Sequence, residues 1–406
     1  MAGTQNATEP GAESQPAGLL RPVLTLGLTQ IVGFGSIYYA FGVLVTHMSA
    51  DLGVTPTFAY GLLSAALLAG SLTAPVAGRL IDLRGARGMM AAGSVAAAAG
   101  FALLSQSAGA WTLAAALVLV ELIAPLVLYD AAFAALAQAV GEARARRAIT
   151  LMTLLGGFAS TVFWPLTLFL QDAVGWRGAF MAFAALHLLV CLPLHLSLPK
   201  LAAQGTAAPS SAPAFPPLPP HLHGRAMVLL ALGLSLSWAM MSAFSAQWVP
   251  VMAAVGLSQA TAVTAGALMG PAQVLARLAE MRFAGHRHPM ITAIFAMGCL
   301  CAAALVLLVA PVGIASASVF AVLFGIGQGL ATMVRGTVPL VLFGLAGYAA
   351  RLGKLASLRG LVAAVAPFAM AGSLAYWGAS ITLGLAALLA AVSLAVLAGV
   401  PWRVKG

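Results

Sequence analysis

Gly78-Arg79-Leu80-Ile81-Asp82-Leu83-Arg84-Gly85-Ala86-Arg87 puts four charges and two glycines into ten residues of a 406-residue chain that is only 7% charged. Long apolar runs flank it on both sides. It therefore reads as a tight, basic connection between two membrane helices, with glycines where the backbone must turn or approach another segment closely.

Working outward, the chain is 62% hydrophobic with a mean hydropathy of +1.03. No globular surface could cover that much apolar side chain with so little charge, which excludes a soluble enzyme. A net charge of +10 would suggest nucleic acid in a soluble chain. Here the cations sit in short loops and set topology, so the expected surroundings are a lipid bilayer and no nucleic acid. Residues 1–19 are rich in Gly, Ala, Ser, Pro and Glu without an apolar core, the composition of a disordered tail that needs no cleaved signal. Cys191, Cys299 and Cys301 fall inside apolar runs, as buried thiols do.

Apolar runs of about twenty residues, enough to span a bilayer as helix, recur roughly at 22–48, 57–80, 88–106, 110–138, 148–171 and 178–198. Six more follow near 226–252, 259–281, 289–309, 314–341, 353–376 and 378–401. Between the two sets, residues 200–225 carry Pro209, Pro213, Pro216, Pro217, Pro219 and Pro220 and suit a flexible linker. In this twelve-span arrangement Arg21, Arg79, Arg84, Arg87, Arg144, Arg146, Arg147, Lys200, Arg225, Arg282, Arg287, Arg351, Lys354, Arg359, Arg403 and Lys405 all fall on one side. That side is the cytoplasm by the positive-inside rule, so both termini are expected there, in the cell (inner) membrane. Arg177 falls on the other side.

The spacing of the opening stretch resembles the loop signature of the major facilitator superfamily: glycine, three residues, aspartate, two residues, glycine, then a basic residue. Gly78, Asp82, Gly85 and Arg87 match it, while Leu83 and Ala86 stand where the family usually has basic residues. Gly175-Trp176-Arg177-Gly178-Ala179-Phe180 is similar to a short sequence that the superfamily often has before its sixth span. The resemblance implies an all-α membrane protein of twelve helices in two pseudo-symmetric six-helix bundles, working by alternating access. Domains are then expected at 20–199 and 226–402, with the tail at 1–19 and the linker at 200–225. Internal repetition tests the arrangement independently. Gly53-Val54-Thr55-Pro56 has a counterpart in Gly256-Leu257-Ser258-Gln259 at an offset of 203, and Gly157 and Pro165 recur as Gly360 and Pro367.

Ionisable groups at membrane depth cost about 2.5–3.5 kcal/mol each on insertion scales, so each needs an account. Glu121 lies near the middle of span four and Asp130 deeper toward the cytoplasm; Arg277 is in span eight and Arg335 in span ten. Glu121 and Asp130 sit on opposite faces of a regular helix unless Pro125 kinks it. By the repeat offset Asp130 comes within half a turn of Arg335, and in the superfamily's fold spans four and ten line the central cavity. Two readings stay open: a gate or substrate site formed by Asp130 and Arg335, or charges paired within their own bundles. Gln328, Thr332 and Arg335 share one helix face, as a cavity wall requires; Gly325, Gly327 and Gly329 equally suit helix packing. Glu121 and Asp82 complete the candidates for proton coupling and gating, Asp82 by capping the N-terminus of a neighbouring helix.

Arg277 fits two registers. Arg277-Leu278-Ala279-Glu280 repeats Arg79-Leu80-Ile81-Asp82; alternatively the 203 offset pairs Gly285 with Asp82 and places Arg277 a turn deeper. The second register keeps the loop length before span nine and is favoured here. On that reading Gln273-Val274-Leu275-Ala276-Arg277 is similar to the eighth span of monocarboxylate and oxalate porters, in which an arginine binds the substrate carboxylate. Leu278 and Met281 replace the proline and glycine found there. Tyr38, Tyr39 and Trp238 are further candidates for the cavity wall, alongside Tyr129, Ser242 and Ser245. His187 and His195 lie on the sixth span, peripheral in that fold, and no metal is expected. Phosphate loops, nucleophile elbows and clustered ligands are absent, so neither a cofactor nor an enzyme is indicated.

The resulting expectation is a monomeric secondary transporter of a small organic anion, a monocarboxylate by the resemblance, with possible proton coupling. The alternative is efflux of a hydrophobic drug or metabolite through aromatic and Met contacts. A membrane sensor on the same scaffold would usually carry an appended cytoplasmic domain.

Overall fold

A computed structural model describes residues 17–199 and 215–402. Residues 1–16 of the expected tail, residues 200–214 of the expected linker, and the cations Lys200, Arg403 and Lys405 lie outside the described residues. The rest of the tail already belongs to the helix Ala17–Phe34, and residues 220–225 of the linker to the helix Pro220–Ala254, because prolines are tolerated in a first helical turn. All regular structure among the described residues is helical, and nine helices are long and apolar enough to cross a membrane. Two of them hold two spans each: Glu142–Leu196 breaks at Gly175 and Tyr348–Ala398 at Gly378. Span eight is assembled from Gln259–Gly266, Met269–Ala279 and the π-helical turn Glu280–Ala284, pieces too short to count singly. The total is the twelve spans that the apolar runs predict.

The repeat is written into the backbone. Gly53 and Gly256 have φ of 66° and 93°, Gly141 and Gly344 of 75° and 71°, and Gly175 and Gly378 of 71° and 76°. Each pair lies 203 residues apart in the chain, and each glycine adopts the left-handed backbone that a Cβ disfavours. Chain breaks therefore recur at matched positions of the two halves. Further along, Thr112 Oγ1 accepts the Gly109 N–H and Ser316 Oγ accepts the Gly313 N–H, both at 3.1 Å, opening spans four and ten alike.

Span four departs from one regular helix. Pro125 has no N–H to offer the Glu121 carbonyl, and three residues later Leu128 is extended (φ −87°, ψ −172°), so Ala110–Val127 ends and Tyr129–Val140 begins afresh. The break places Asp130 in the first turn of a helix, where the N-terminal dipole favours a carboxylate. It also frees the Val127 carbonyl, which accepts a hydrogen bond from Gln30 Nε2 of span one at 2.8 Å.

One hydrophobic cluster lies wholly in the second half, from Leu218 to Val400, and one wholly in the first, from Val32 to Cys191. A third joins first-half residues such as Ile81, Phe133 and Met152 to Leu340, Tyr348, Ala349 and Leu352 of the second. The halves thus share a core at the end that carries the basic loops. Small residues make this contact possible: a Cβ on Gly78 would overlap the Ala349 carbonyl, and one on Gly353 the Ala74 carbonyl. At the other end Arg177 pairs with Asp51 and donates to the Ser107 carbonyl at 2.9 Å, while Trp176 Nε1 donates to Asp51 Oδ2 at 3.2 Å. The Gly175–Phe180 stretch thereby ties together the ends of spans one, three and six.

Candidate functional site

Charged and polar side chains converge where the halves meet. Asp82 accepts the backbone N–H groups of Ala349 and Ala350 at 3.0 and 2.7 Å, so its carboxylate caps the first turn of the helix that starts at Tyr348. Glu280, 198 residues after Asp82, pairs with Arg146 at 2.6 Å, and Arg146 is 203 residues before Ala349. The acids of spans two and eight therefore meet equivalent positions of spans eleven and five. This relation corresponds to the shorter register of span eight, in which Glu280 matches Asp82, and corrects the preference for aligning Gly285 with Asp82. The five extra residues lie after Glu280, where the π-helical turn and the loop before Pro289 absorb them.

Arg277 is nonetheless buried, 4% exposed. Its Nε donates to the Gly329 carbonyl of span ten at 3.0 Å, and its Nη1 to the Thr153 carbonyl of span five, in the other half, at 3.1 Å. Gly157 leaves room for this reach, since a Cβ there would sit 3.1 Å from Nη1. Two carbonyls thus occupy the guanidinium that the sequence offers to a carboxylate, and Nη2 makes no hydrogen bond among the described residues. Gln273, one turn earlier, donates to Gln328 Oε1 at 2.8 Å, and Gln328 Nε2 donates to Ser245 Oγ at 3.3 Å. Gly325 and Gly329 pack against Met269 and Gln273 of span eight, and Gly327 against Leu300 of span nine, which answers the packing question for all three.

Asp130 does not bond to Arg335. Its Oδ2 accepts from Arg359 Nη2 of span eleven at 2.9 Å. Arg359, grouped above with the loop cations, is a buried residue eleven positions inside the helix Tyr348–Ala398. The loop reading fails because the span starts five residues before its hydropathic edge. Lys354 falls inside it too, but stays exposed. Arg335 is 6% exposed and lies against three aromatic rings, 5.1 Å from Tyr129, 5.5 Å from Phe133 and 5.1 Å from Trp238. Trp238 also carries Arg359 at 4.9 Å, so one indole holds two guanidinium groups. None of the Arg335 N–H groups donates a hydrogen bond among the described residues, and Nε is fully enclosed without a partner.

Glu121 is 6% exposed, and its carboxylate has neither a hydrogen-bond nor an ion-pair partner among the described residues. Tyr38, largely exposed, lies within electrostatic reach of it; Tyr39 and Tyr129 lie within reach of Arg277. Tyr39 stands edge-on to Tyr38 at 5.3 Å and to Trp164 at 6.0 Å. His187 and His195 hydrogen-bond Ser36 and Ser94 at 3.0 and 2.8 Å, which is interhelical packing. No group of three or more metal-ligating side chains occurs among the described residues.

Every hydrogen bond and ion pair between the halves among the described residues is one of those at Asp82, Asp130, Glu142, Arg146 or Arg277. All of them lie between the middle of the spans and the basic end, which is therefore closed.

The sequence model described as Major Facilitator Superfamily matches residues 26–367. No curated protein matches the chain in sequence. Among solved structures, the human organic anion transporter MFSD10 (TETRAN) superposes with a TM-score of 0.74 at 16% identity, over 95% of this chain and 100% of its own. FucP, a major facilitator superfamily transporter in the outward conformation, superposes with a TM-score of 0.69 at 16% identity, over 94% of this chain and 99% of its own.

Proposed function

The chain belongs to the major facilitator superfamily, a family of transporters rather than enzymes, and from that premise we propose that it carries a small organic anion, a monocarboxylate by preference, by alternating access. Arg335 is the observation that carries this reading. A buried guanidinium with all its donors unused is costly unless a ligand completes it, and its fork geometry matches a carboxylate. Tyr129, Phe133 and Trp238 hold the cation in place and offer an apolar wall for the rest of the anion.

Gln273, Gln328, Tyr38 and Tyr39 line the approach in this proposal, and Asp82, Asp130 and Glu121 serve the gate and the proton. The bundles are assigned to 20–199 and 226–402, with the basic loops and both termini in the cytoplasm of the cell that holds the protein in its membrane. On that orientation a closed basic end corresponds to an outward-facing state. The likeness in fold to a human organic anion transporter supports the substrate class by analogy.

Thermal denaturation of the purified protein tests the proposal, because a ligand that binds the folded state raises stability by about 2.7 kcal/mol at a hundred times its Kd. Short carboxylates should raise the midpoint while matched amines and hydrophobic drugs should not. Stabilisation by drugs alone would replace the organic-anion reading with hydrophobic efflux.

A further inference from the structure

A second site lies away from the central charges, at the closed end. A cleft of about 460 Å³ opens between the halves there, lined by Glu142, Arg146 and Arg147 of span five and by Glu280, Arg282 and His286 at the end of span eight. Its cations are not equivalent. Arg146 is engaged through both terminal nitrogens, by Glu280 at 2.6 Å, by the Ala284 carbonyl at 3.2 Å and by the Arg287 carbonyl. Thr292 Oγ1 holds the same Glu280 oxygen from the other side at 3.3 Å, so this wall is fixed. The Glu142 carboxylate accepts the Leu345 backbone N–H.

Arg147 and Arg282 remain. Both are exposed, and neither makes a hydrogen bond or ion pair among the described residues; Arg282 touches only the Phe283 ring, at 5.5 Å. Two free guanidinium groups against the single Glu142 carboxylate leave a net charge of +1 in the cleft. Arg147 belongs to the first half and Arg282 to the second, so an anion held by both bridges the halves.

We propose that this cleft binds a phosphate group, either the headgroup of an anionic phospholipid or free inorganic phosphate, and that its occupancy holds the basic end closed. Phosphate fits better than carboxylate for three reasons. Its oxygens point in several directions and can serve guanidinium forks on opposite walls. Its charge of one to two negative units balances the cleft. The cleft lies at the end of the spans, at the level of the headgroups, where anionic lipid concentrates near clustered Arg. When the halves separate at this end, Arg147 and Arg282 part and the bridge is lost, so a bound phosphate shifts the equilibrium toward the closed form.

The test uses the full chain in phosphatidylcholine nanodiscs, with and without added phosphatidylglycerol, and in phosphatidylcholine with inorganic phosphate against chloride at equal ionic strength. Two quantities are followed: the thermal midpoint, and the labelling rate of a cysteine introduced at Thr153, buried where the halves meet. A higher midpoint and slower labelling with phosphatidylglycerol alone assign a lipid headgroup; the same response to inorganic phosphate assigns the free ion. Either response should vanish in Arg147→Gln/Arg282→Gln and persist in Arg147→Lys/Arg282→Lys, which keeps the charge. No response in the parent, or an equal response in the glutamine variant, overturns the proposal. Carboxylate stabilisation is measured on the same samples, so loss of the cleft site and loss of the central anion site are told apart.

Discussion

Asp130 and Arg359 form a 2.9 Å ion pair across the two halves, with Arg359 set over the Trp238 ring at 4.9 Å. The Arg359 side chain is 8% exposed and that of Asp130 21%. Because the pair joins span four to span eleven, any motion that separates the halves at this depth must break or exchange it. Breaking a buried pair by removing one partner strands a charge and costs about 3–5 kcal/mol, whereas neutralising both can cost little. Asp130→Asn and Arg359→Gln should each lower the thermal midpoint strongly, and the double variant should recover most of the loss. Additive losses in that double-mutant cycle would mean that the two side chains act separately.

Asp82 offers one carboxylate oxygen to each of two N–H groups at the start of span eleven. Asp82→Asn keeps a single acceptor and no charge, so the closed basic end should weaken while expression is maintained. Gly78→Ala should act in the same direction more severely, since its Cβ would meet backbone rather than a flexible side chain. Uptake into vesicles is expected to slow in both variants; unchanged rates would leave this loop a topology signal only.

Glu121 has neither a hydrogen-bond nor an ion-pair partner among the described residues, and an ionisable group in that situation inside a span is a candidate for coupling transport to protons. Glu121→Gln should abolish acceleration of uptake by a pH gradient and leave substrate-for-substrate exchange intact. Equal loss of both activities would assign Glu121 a structural part instead.

His288 lies outside the spans. It accepts the Met290 N–H on Nδ1 at 3.2 Å, and burial, with Arg146 nearby, depresses its imidazole to about 4. The folded value is below the ordinary 6.5, so the unfolded chain binds the proton more tightly. The stabilisation is present above pH ~6.5 and is lost as pH falls toward 4. Thermal midpoints should decline over that window, and His288→Asn, which caps the helix without titrating, should flatten the decline.

The twelve spans and the repeat were legible because apolar run length and glycine spacing are one-dimensional signals. The glycines at 53, 141 and 175 and their partners 203 residues on show the same periodicity in φ. Asp82 was legible as a helix cap because its loop keeps a fixed spacing. The partner of Asp130 was not. Arg359 shares a short stretch with Arg351 and Lys354, and nothing in that local run marks it as buried; only the early start of the helix, capped by Gly347, draws it inward. Its position eleven residues after Tyr348 was the available clue. The register of span eight was misread because a loop and a π-helical turn can hide five residues without changing which acid meets span five. Arg277 is buried, but the Thr153 carbonyl that it meets lies 124 residues away in the chain and is brought within reach only by the fold of the other half.

The central claim is that Arg335 receives the substrate's anionic group. Its most direct test is equilibrium binding of short carboxylates, monocarboxylates against dicarboxylates, to the parent protein and to Arg335→Lys, each checked for an unchanged fold by its melting profile. A guanidinium offers a fixed pair of donors and an ammonium a single point charge, so the lysine variant should bind at least tenfold more weakly, a loss of about 1.4 kcal/mol, although charge is conserved. Equal affinity in the two proteins, or no carboxylate binding by the parent at any concentration that leaves it folded, would contradict the account.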